Sequence, residues 1–463
     1  MDTLLPVKFE AAATLQALLG RISDRTAQIG IVGLGYVGLP LTLLFSDERF
    51  RITGLDIDKG KVWMLNNGES YIHRIEPEHI RGAQTVGFRA TTDFADAADL
   101  DAILICVPTP LHHDHTPDMS YVVSTIEALA PHLRPGQLVI LESTTYPGTT
   151  EEVIVETIER HGNRVLRHVS AETPTEVALD GVMVAFSPER EDPGNTTTAR
   201  RDIPKVIGGA DASATAAACA LYNAIFNRVV PVSTPAAAEM TKLLENIYRS
   251  VNIALVNELK QLCLQMDVDV WEVIDAAGTK PFGFHAFQPG PGVGGHCIPV
   301  DPFYLSWKAK QYNCATKFIE LAGEINESMP AFVVATVERE LEKRDVNIVD
   351  AKILVLGVAY KRDVDDLRES PALTVIKLLR WAGALVAYND PFFPTVGSGR
   401  KYDLKLHCMP VEDLGGYDCV LILTDHSAYD FETIIAESRL VIDTRNATRK
   451  VPGASRMANV VRC

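Results

Sequence analysis

A short apolar strand that runs into a glycine-rich turn constrains the fold of this chain more than any other feature. Residues 28–33 read QIGIVG, GLGYVG spans 33–38, and a helical pattern, LPLTLLFSDE, follows. A second strand pattern, RITGLDID, begins at residue 51. This order of strand, turn, helix and strand predicts a βαβ unit whose two strands are parallel.

Further strand patterns continue this alternation along the chain. DAILICVPTP at 101–110, QLVILEST at 137–144 and VMVAFSPER at 182–190 each join an apolar run to a polar end. Strands that alternate with helical segments are typical of a parallel, doubly wound sheet. We therefore expect one such sheet up to about residue 210.

The middle of the chain has a helical period instead. Apolar residues at 240, 243, 244, 247, 251 and 255 predict a long helix within 235–265. The helical region continues to about residue 335 and is interrupted by a Gly/Pro loop at 289–299. Strand patterns return from residue 351 in AKILVLGVAYKRD, GALVAYNDP, YDCVLILTDH and RLVIDTRN.

The expected fold class is α/β, with two Rossmann-like doubly wound domains joined by a central helical region with a long helix. The predicted boundaries are 1–210, 211–335 and 336–463. The second Rossmann-like unit has only Gly357 in its first turn, without the glycines that admit a pyrophosphate close to a helix N-terminus. We do not expect that unit to bind a dinucleotide.

Composition and charge exclude several classes of protein. The net charge of −16 over 463 residues argues against nucleic-acid binding, which usually leaves a basic footprint. No apolar run approaches the ~20 residues of a membrane span, and the N-terminal residues lack the pattern of a signal peptide. The eight cysteines include no CxxC pair, which argues against a thiolate zinc site or a disulfide framework. We expect a cytoplasmic protein that binds no nucleic acid and no membrane.

The glycine-rich turn predicts a dinucleotide site. A carboxylate, Asp56, ends the second strand, where it would hold a ribose 2′-hydroxyl and repel a 2′-phosphate, so that NAD is favoured over NADP. Lys61 either reaches the adenosine phosphates or is simply exposed, and Asp58 is interpreted as a solvated turn residue. The residues expected to contact NAD here are Gly33, Gly35, Tyr36, Val37, Gly38, Asp56 and Lys61.

Three polar residues follow later strands of the same predicted sheet. Thr109 lies in VPTP and Thr144 in ESTTYPGTT, where ligands of open α/β sheets bind, although either one is as readily an ordinary loop threonine. Glu189 in FSPER is either a general acid/base or the cap of the next helix.

Lys242 and Asn246 are four residues apart and therefore share one face of the long helix. Because Glu239, Glu245 and Arg249 lie nearby, spacing alone favours a solvated polar face. The functional alternative requires Lys242 to point into a cleft as a cation beside developing negative charge.

Basic residues gather in the C-terminal unit of this acidic chain. Arginine forks suit phosphates, while surface ion pairs are the competing interpretation for each residue taken singly. The residues are Lys361, Arg362, Arg368 and Arg445. The histidines in LHHDHTPD, at 112, 113 and 115, are interpreted as a surface loop, and we expect no metal site.

Cys297 stands apart from the other cysteines. It lies in GVGGHCIPVD at 292–301, a glycine-rich loop with an aspartate, Asp301, four residues later. The remaining seven cysteines are interpreted as small buried hydrophobic residues. Cys297 is therefore the candidate nucleophile.

Five stretches together carry a resemblance to a known family. They are GLGYVG, TKLLEN, GPGVGGHCIPVDPFY, AYKRDVDDLRESPA and the closing DTRN, and they occur in order over nearly the whole chain. The chain resembles the UDP-sugar 6-dehydrogenase family. Within it, KPFGF at 280–284 with GGHCIPVDPFYLSWKA is most similar to the UDP-N-acetylglucosamine branch. The UDP-glucose branch usually has a smaller polar residue at the position of His296, and the UDP-N-acetylmannosamine branch usually lacks KPFGF.

The resemblance implies an N-terminal NAD domain, a central helical dimerisation domain that carries the cysteine loop, and a C-terminal UDP-sugar domain. It implies a four-electron oxidation of the C6 alcohol of a UDP-hexose, which we expect to be UDP-N-acetylglucosamine, with NAD as the hydride acceptor. Cys297 would hold the intermediates as a thiohemiacetal and then as a thioester that water hydrolyses. We expect a homodimer or a higher homo-oligomer.

The resemblance also assigns roles to individual positions. Lys242 and Asn246 would stabilise the oxyanion, Asp301 would act as a base or orient water, and Glu189 with Thr144 would place the hydrolytic water. The positions expected to contact the substrate are Glu189, Lys242, Asn246, Gly294, Lys361 and Arg445. Arg368, with Thr109 and Thr144, matches positions beside the cofactor.

Other functions remain open at this point. UDP-N-acetylmannosamine or UDP-glucose could be the substrate instead. A one-step hydroxyacid dehydrogenase also pairs a Rossmann domain with a long helix, but it leaves the second Rossmann-like unit unexplained. A nucleotide-sugar or NAD-binding regulator without turnover would need none of Cys297, Lys242 and Asp301.

Overall fold

The structure, a computed structural model, describes residues 15–72, 75–112, 114–166, 180–190, 198–295, 297–399 and 402–463. The described residues form two compact units that divide between Leu244 and Glu245. Each unit contains its own largely parallel sheet with helices between the strands. The predicted α/β class with two Rossmann-like sheets is confirmed.

The sheet of the first unit has the strand order β3-β2-β1-β4-β5-β6-β7-β8. The first six positions follow the order of a dinucleotide-binding Rossmann sheet. The strands are β1 (Gln28–Val32), β2 (Arg51–Leu55), β3 (Arg89–Thr91), β4 (Ala102–Ile105), β5 (Leu138–Leu141), β6 (Met183–Phe186), β7 (Lys205–Gly209) and β8 (Val229–Val232).

Helices cover both faces of this sheet. Successive residues of β4 belong alternately to two apolar clusters, Ala102 and Leu104 to one and Ile103 and Ile105 to the other. A strand buried on both faces explains the near-continuous apolar runs in the sequence. The helices are α1 (Leu15–Ser23), α2 (Gly38–Asp47), α3 (Lys59–Asn66), α4 (Pro77–Val86), α5 (Ser120–Leu129), α6 (Glu156–Arg160), which continues a π-helical turn at Thr150–Val155, and α7 (Ala212–Asn223).

One strand pair departs from the predicted parallel sheet. β6 and β7 are antiparallel, with Ala185 opposite Gly209 and Phe186 opposite Gly208. All other neighbouring strands of this sheet are parallel. The expectation of an entirely parallel sheet is therefore wrong at this pair, where no crossover helix separates the two strands among the described residues.

The second unit contains a five-stranded parallel sheet in the order β10-β9-β13-β14-β15, and a separate antiparallel pair. The sheet strands are β9 (Lys352–Leu356), β10 (Leu385–Asn389), β13 (Cys419–Ile422), β14 (Val441–Asp443) and β15 (Val460–Arg462), and the pair is β11 (Thr395–Ser398) with β12 (Asp403–His407). Its helices are α9 (Val270–Gly278), α10 (Asp301–Lys310), α11 (Lys317–Glu342), α12 (Pro371–Trp381) and α13 (Phe431–Glu437). The long helix α8 (Pro235–Gln265) begins in the first unit and ends in the second.

The first turns of the two sheets share one arrangement of glycine and carboxylate. Gly33 and Gly357 both have positive φ, at 88° and 81°, and each donates its N–H to the last residue of the adjacent strand. A carboxylate follows that strand in both units, and it accepts backbone N–H groups from the turn: Asp56 from Leu34, and Asp390 from Val358 and Ala359. In the second unit the carboxylate of Asp390 is also bound by His426.

Helix α8 departs from the usual arrangement of an amphipathic helix. It buries six polar side chains beside apolar ones and exposes large apolar side chains on another face, whereas a surface helix normally buries an apolar stripe and exposes polar residues. The buried polar residues are Glu239, Lys242, Asn246, Ser250, Asn257 and Lys260. The exposed apolar residues are Met240, Leu244, Tyr248, Leu255, Leu259 and Leu262, and Met266 directly after the helix is exposed as well.

This arrangement corrects the solvated polar face that spacing favoured for Lys242 and Asn246. Both are buried, and so is Glu239. It also divides the apolar residues of the sequence pattern, since Leu243 and Ile247 are buried while others of the set are exposed. The period predicted the helix correctly but not the face that it buries.

Each buried polar side chain of α8 needs a hydrogen-bond partner in place of water. The Asn257 amide nitrogen donates to Asn326 Oδ1 at 3.0 Å, and its Oδ1 accepts from the N–H of Gly290 at 2.9 Å. Glu239 accepts from the N–H of Gly148 and from both the N–H and hydroxyl of Thr150. The helix therefore anchors loops through polar contacts that apolar residues could not replace.

Two further sequence interpretations concern cysteines and histidines. The interpretation of seven buried thiols holds for Cys419 and Cys463 and is wrong for Cys314, which is exposed. The other four, Cys106, Cys219, Cys263 and Cys408, are half-buried. Within the described residues, no cluster of three His, Cys, Asp or Glu residues could hold a metal ion. His113 lies outside the described residues.

No helix in the part of the chain that the structure describes combines the length and the hydropathy of a membrane span.

Replacing Asn257 with Leu should lower the stability of the second unit. Leucine has a similar volume but leaves the Gly290 N–H and the Asn326 amide without their partners, at a cost of about 2–4 kcal/mol. The matched control is Asn252→Leu, the same change at a half-buried position of α8 whose amide donates to the Tyr248 carbonyl oxygen of the same helix. Thermal unfolding should show a lower Tm for Asn257→Leu than for the control. Equal Tm values would contradict the structural role of the buried amide.

Candidate active site

The glycine-rich turn of the first unit has the shape of a phosphate cradle. A Cβ on Gly33 would lie 2.6 Å from the carbonyl oxygen of Cys106, and one on Gly38 would lie 2.0 Å from that of Gly33. A Cβ on Gly35 would have no heavy atom within 4 Å. Gly33 and Gly38 are therefore required by close backbone packing, while Gly35 leaves open space above the turn.

The first turn of α2 is suited to an anion. Its N-cap, Val37, provides no side-chain hydrogen bond to the first N–H groups of the helix. These groups and the helix dipole together favour a bound phosphate. Tyr36, which precedes the cap, is 46 % exposed. The predicted pyrophosphate residues are thus together in one loop that has room for the group.

Asp56 lies beside this loop, as the sequence predicted. Its Oδ2 accepts from the N–H of Leu34 at 2.9 Å, and Lys61 Nζ is 3.7 Å from the same oxygen. Asp58 is the N-cap of α3, accepting from the N–H groups of Gly60 and Lys61, and is not merely a solvated turn residue. The Lys61 ammonium also lies over the ring of Tyr71. These residues fit the pyrophosphate and ribose of a dinucleotide.

Thr109 and Thr144 follow the adjacent parallel strands β4 and β5. Both threonines are half-buried. The hydroxyl of Ser143 donates to the carbonyl oxygen of Val107 at 2.7 Å and so joins the two loops. Parallel strands end at the same edge of the sheet, which places both threonines on the edge that holds the glycine-rich turn.

Glu189 lies on that edge as well, three residues after β6. Because β7 runs antiparallel to β6, with Phe186 opposite Gly208, the first residue of β7, Lys205, lies towards the end of β6 that leads to Glu189. Lys205 Nζ donates to Glu189 Oε2 at 2.7 Å and to Glu142 Oε2 at 2.6 Å. The reversal of β7 thus brings a buried cation to the carboxyl edge of the sheet.

Lys242 contacts the same segment from α8. Its ammonium donates to the backbone carbonyl oxygen of Glu189 at 2.6 Å. An ammonium carries three N–H donors, so this bond leaves it able to stabilise a further oxygen. Glu189 and Lys242, both predicted from the sequence, are therefore brought together in the first unit.

The second unit gathers the other predicted catalytic residues around Cys297. The carbonyl oxygen of Cys297 accepts from the N–H of Val300 at 3.0 Å and of Asp301 at 2.8 Å, which forms a tight turn into α10. The Asn246 amide nitrogen donates to Asp301 Oδ2. Asp301 and Asn246 are buried and Cys297 is half-buried. His296 lies outside the described residues.

The glycines before Cys297 are needed for packing against the chain itself. Gly292 and Gly295 have positive φ, at 129° and 80°. A Cβ on Gly294 would lie 2.6 Å from Cβ of Tyr360, and the N–H of Gly295 donates to the carbonyl oxygen of Arg368 at 2.9 Å. The loop is therefore held closely against the segment that follows β9.

Arg445 approaches the start of the same loop. A Cβ on Gly290 would lie 2.6 Å from a terminal nitrogen of its guanidinium, which also donates through Nε to the Leu423 carbonyl oxygen. Lys260 of α8 donates to the carbonyl oxygen of Gly290 at 3.1 Å. Burial and the nearby Arg445 charge lower the pKa of Lys260 to about 8, opposed by Cys463 and Asp443.

The other basic residues of the C-terminal unit have acidic neighbours. Arg368 forms hydrogen bonds with Asp366, and Arg362 with Asp363 and Asp425. For these two arginines the structure contains the ion pairs that the competing interpretation expects. Lys361 is half-buried and directly follows Tyr360, the residue packed on Gly294.

Comparison with known proteins gives matches along most of the chain. Three models of one family match in order: the NAD binding domain of the UDP-glucose/GDP-mannose dehydrogenase family at residues 27–226, its central domain at 236–328 and its UDP binding domain at 354–450. The chain belongs to the UDP-glucose/GDP-mannose dehydrogenase family.

Relatives match at moderate identity over nearly their whole length. A UDP-N-acetyl-D-mannosamine dehydrogenase of Methanococcus maripaludis is 33% identical over 434 residues, covering 90% of this chain and 92% of the relative. An NDP-N-acetyl-D-galactosaminuronic acid dehydrogenase of Ralstonia solanacearum is 34% identical, covering 90% and 95%. A solved UDP-D-ManNAc dehydrogenase of Pyrococcus horikoshii has a TM-score of 0.80 and 34% identity, covering 94% and 98%.

Membership of the dehydrogenase family establishes the coarse function. The chain is an NAD-dependent nucleotide-sugar dehydrogenase with a UDP binding domain at its C-terminal end. The cofactor predicted from Asp56 and the glycine-rich turn, NAD, is thereby confirmed. The family resemblance seen in the sequence motifs is confirmed as well.

Sequence reasoning missed several buried polar residues around the predicted site of this dehydrogenase. Glu142 ends the apolar run LVILE, and Lys205 begins the apolar run KVIGG. A charged residue at the end of an apolar strand was the available signal. Their proximity could not be inferred, because it depends on the antiparallel course of β7.

The two glycines of the dinucleotide turn should respond differently to alanine. Gly38→Ala forces a Cβ against a backbone oxygen, so we expect a loss of about 1–3 kcal/mol and a lower Tm without cofactor. Gly35→Ala should keep the Tm but weaken NAD binding about tenfold or more, because the Cβ occupies open space beside the expected pyrophosphate. Thermal unfolding and calorimetric NAD titration measure the two effects. Unchanged NAD affinity in Gly35→Ala would contradict the predicted cradle.

Proposed function

We propose that this protein is a UDP-sugar 6-dehydrogenase that oxidises the C6 alcohol of a UDP-N-acetylhexosamine to the uronate. NAD, when bound, supplies the hydride acceptor for both oxidation steps. In balance, one alcohol, one water and two NAD⁺ give one carboxylate, two NADH and three protons. The observation that carries the proposal is the turn in which Asp301 binds the Cys297 carbonyl oxygen while Asn246 binds Asp301.

Cys297 is the proposed nucleophile. Aldehyde oxidation by hydride transfer needs a tetrahedral adduct, and a thiolate provides one by adding to the aldehyde carbon. Loss of hydride from that thiohemiacetal gives a thioester on Cys297. The buried carboxylate of Asp301, fixed by Asn246, is the proposed base or water-orienting group beside this sulfur.

Residues of the first unit supply the remaining roles. The Lys242 ammonium, held by the Glu189 carbonyl oxygen, is proposed to stabilise developing negative charge on the substrate oxygen, together with Asn246. Glu189 and Thr144 are proposed to place the water that attacks the thioester. The water oxygen would bond to the thioester carbon as the water loses a proton, and cleavage of the carbon–sulfur bond would release the uronate and the Cys297 thiolate.

The substrate is proposed to bind through the C-terminal unit. Arg445 packs on Gly290 and Tyr360 packs on Gly294, with Lys361 next to it, so the predicted substrate residues adjoin both ends of the cysteine loop. The boundaries 1–210, 211–335 and 336–463 remain our proposal for the NAD, dimerisation and UDP-sugar domains. Two basic residues in an otherwise acidic protein suit a diphosphate.

Two observations bear on the configuration of the sugar, and they favour different sugars. The KPFGF segment resembles the UDP-N-acetylglucosamine branch, whereas relatives at 33–36% identity are named UDP-N-acetyl-D-mannosamine dehydrogenases. Both support a 2-acetamido sugar. We propose UDP-N-acetylglucosamine as the first substrate to test, with UDP-N-acetylmannosamine as the alternative.

The stoichiometry of NADH tests the reaction. Purified protein with excess NAD and, separately, UDP-N-acetylglucosamine, UDP-N-acetylmannosamine and UDP-glucose should form two NADH for each sugar consumed. The substrate with the highest kcat/KM identifies the sugar. One NADH per sugar would indicate a simple alcohol dehydrogenase and contradict the thioester route.

Replacing Cys297 with serine should reduce uronate formation by at least about a thousandfold, because the covalent intermediates cannot form. NAD affinity should stay unchanged, which calorimetry can measure. Cys314→Ser, at an exposed thiol, is the matched control and should keep full activity. Uronate production by Cys297→Ser at the rate of the control would refute the nucleophile assignment.

We also propose that a second copy of the chain covers the exposed apolar face of α8. Six large apolar side chains from Met240 to Leu262 lie along this helix, and Met266 directly follows it, with exposed fractions between 39% and 62%. A contiguous apolar surface of this kind is typical of protein–protein contact sites. This supports a homodimer built on the long helix.

Charge on this helix face should dissociate the dimer. Leu255→Lys with Leu259→Lys places two ammonium groups in the apolar stripe, and their desolvation opposes association. Light scattering after size exclusion should report half the mass of the unchanged protein. The control is Arg249→Glu on another face of α8, which should keep that mass. A mass unaffected by the double change would contradict dimerisation through α8.

A further inference from the structure

Two buried carboxylates share one buried lysine in the first unit. Lys205 Nζ lies 2.6 Å from Glu142 Oε2 and 2.7 Å from Glu189 Oε2. The Lys205 and Glu142 side chains are 2% and 0% exposed, and that of Glu189 is 11% exposed. Glu189 is therefore the end of the cluster that reaches solvent.

The lysine is fixed from its other sides. The hydroxyl of Tyr222 donates to Glu142 Oε1, and the Lys205 ammonium lies 5.2 Å from the centre of the Tyr222 ring and 5.5 Å from that of Phe226. Both rings belong to the core beneath the sheet. Glu142 thus has one oxygen on the tyrosine and one on the lysine, so that its carboxylate cannot rotate without losing a bond.

We propose that Lys205, fixed by Glu142 and Tyr222, is a positioning residue that keeps the Glu189 carboxylate ionised and correctly oriented to accept a proton from the hydrolytic water. This inference rests on the proposed function, in which Glu189 places that water. In the step concerned, the water oxygen bonds to the thioester carbon and the bond from that carbon to Cys297 sulfur breaks. The proton leaves the water for Glu189, and the sulfur departs as thiolate.

The charges around Glu189 support an ionised carboxylate. Burial alone would raise the pKa of Glu189, but the charges of Lys205, Arg200 and Lys242 outweigh it and lower the pKa below the usual range. Burial raises the pKa of Glu142 despite Lys205, with the Glu189 charge adding to the increase. The titratable groups that face the cluster are Glu142, Lys205, Arg200, Lys242, Tyr222 and Cys106.

The competing explanation is an ion pair that serves stability alone. A buried pair often contributes little net stability, because desolvation of the charges offsets their attraction. Two features favour the functional explanation: one lysine serves two acids, and the acid that is partly exposed is the one predicted for catalysis. A structural pair would leave the pH dependence of turnover unchanged.

Removing the lysine charge is the first test. Glu189 must be ionised to accept a proton, so kcat falls as the pH drops through the pKa of Glu189. This fall is the acid limb of the pH profile. Without Lys205 that pKa rises, so the acid limb of the kcat profile of Lys205→Met should move to higher pH by about one unit or more. Because hydrolysis slows, stopped-flow experiments should show a burst of two NADH per site, and intact-protein mass should show the acyl adduct on Cys297.

Two variants accompany Lys205→Met. Lys205→Arg keeps the charge and should restore the acid limb, at least in part. Arg201→Met removes a charge four residues earlier, where the guanidinium pairs with Glu48 and not with Glu189. It should behave as the unchanged protein in both the profile and the burst.

The second test keeps the lysine and changes the groups that fix it. Because the pKa of Glu142 is raised and that of Glu189 is lowered, Glu142 is already protonated where Glu189 titrates. Glu142→Gln should therefore leave the acid limb in place and lower kcat, because Lys205 loses its ionic anchor. Tyr222→Phe removes only the hydroxyl contact and keeps the ring packing. This variant should retain the position of the acid limb with a reduced kcat. The pair remains informative if Lys205→Met does not fold.

The outcomes separate the inference from the proposed function. If Glu189→Gln accumulates the acyl adduct but the acid limb stays unmoved in folded Lys205→Met, the positioning role is wrong and the function stands. A kcat equal to that of the unchanged protein in both Glu142→Gln and Tyr222→Phe also overturns the positioning role. Absence of NADH with every UDP-sugar, or a Glu189→Gln variant with the activity of the unchanged protein, would overturn both.

Discussion

The polar face that α8 buries is the constraint on which the candidate site depends. A helix of 31 residues that buries amides, lysines and a glutamate must find a partner for each, since an unsatisfied buried polar group costs about 1–3 kcal/mol. Two of the partners, the Glu189 carbonyl oxygen and Gly290, lie in loops, and two, Thr150 and Asp301, are the first residues of helical segments that follow loops. The helix thereby fixes irregular backbone, which has no ladder of its own.

The exposed side of α8 is apolar along much of its length. Of the hydrophobic residues that give the helix its sequence period, Leu243 and Ile247 are buried beside the polar residues, whereas Met240, Leu244 and Leu255 are exposed. A monomer with this face in water would leave several leucines half exposed. The polar contacts that position the catalytic candidates and the apolar surface proposed for a second copy are therefore two consequences of one sequence pattern.

Much of the fold followed from local patterns, because apolar runs, turn glycines and strand-end carboxylates act over a few residues. Asp56 lies beside the glycine-rich turn for this reason. What could not be predicted depends on long-range register. Spacing favoured solvent for Lys242 because a helical period does not say which face is buried. Lys205 was missed because only the antiparallel pairing of β7 with β6 places it beside Glu189.

The glycines of the cysteine loop are required for close packing of the loop against the rest of the second unit. A glycine-rich segment beside a candidate nucleophile suggests room for a ligand, but here a Cβ on Gly294 would meet Tyr360 and one on Gly290 would meet Arg445. The loop is packed against the segments that carry the proposed substrate residues Lys361 and Arg445. Because packed interiors are close to incompressible, a shift of these segments on binding a diphosphate would move the loop itself. The close packing therefore links the position of the cysteine loop to that of these segments within one compact unit.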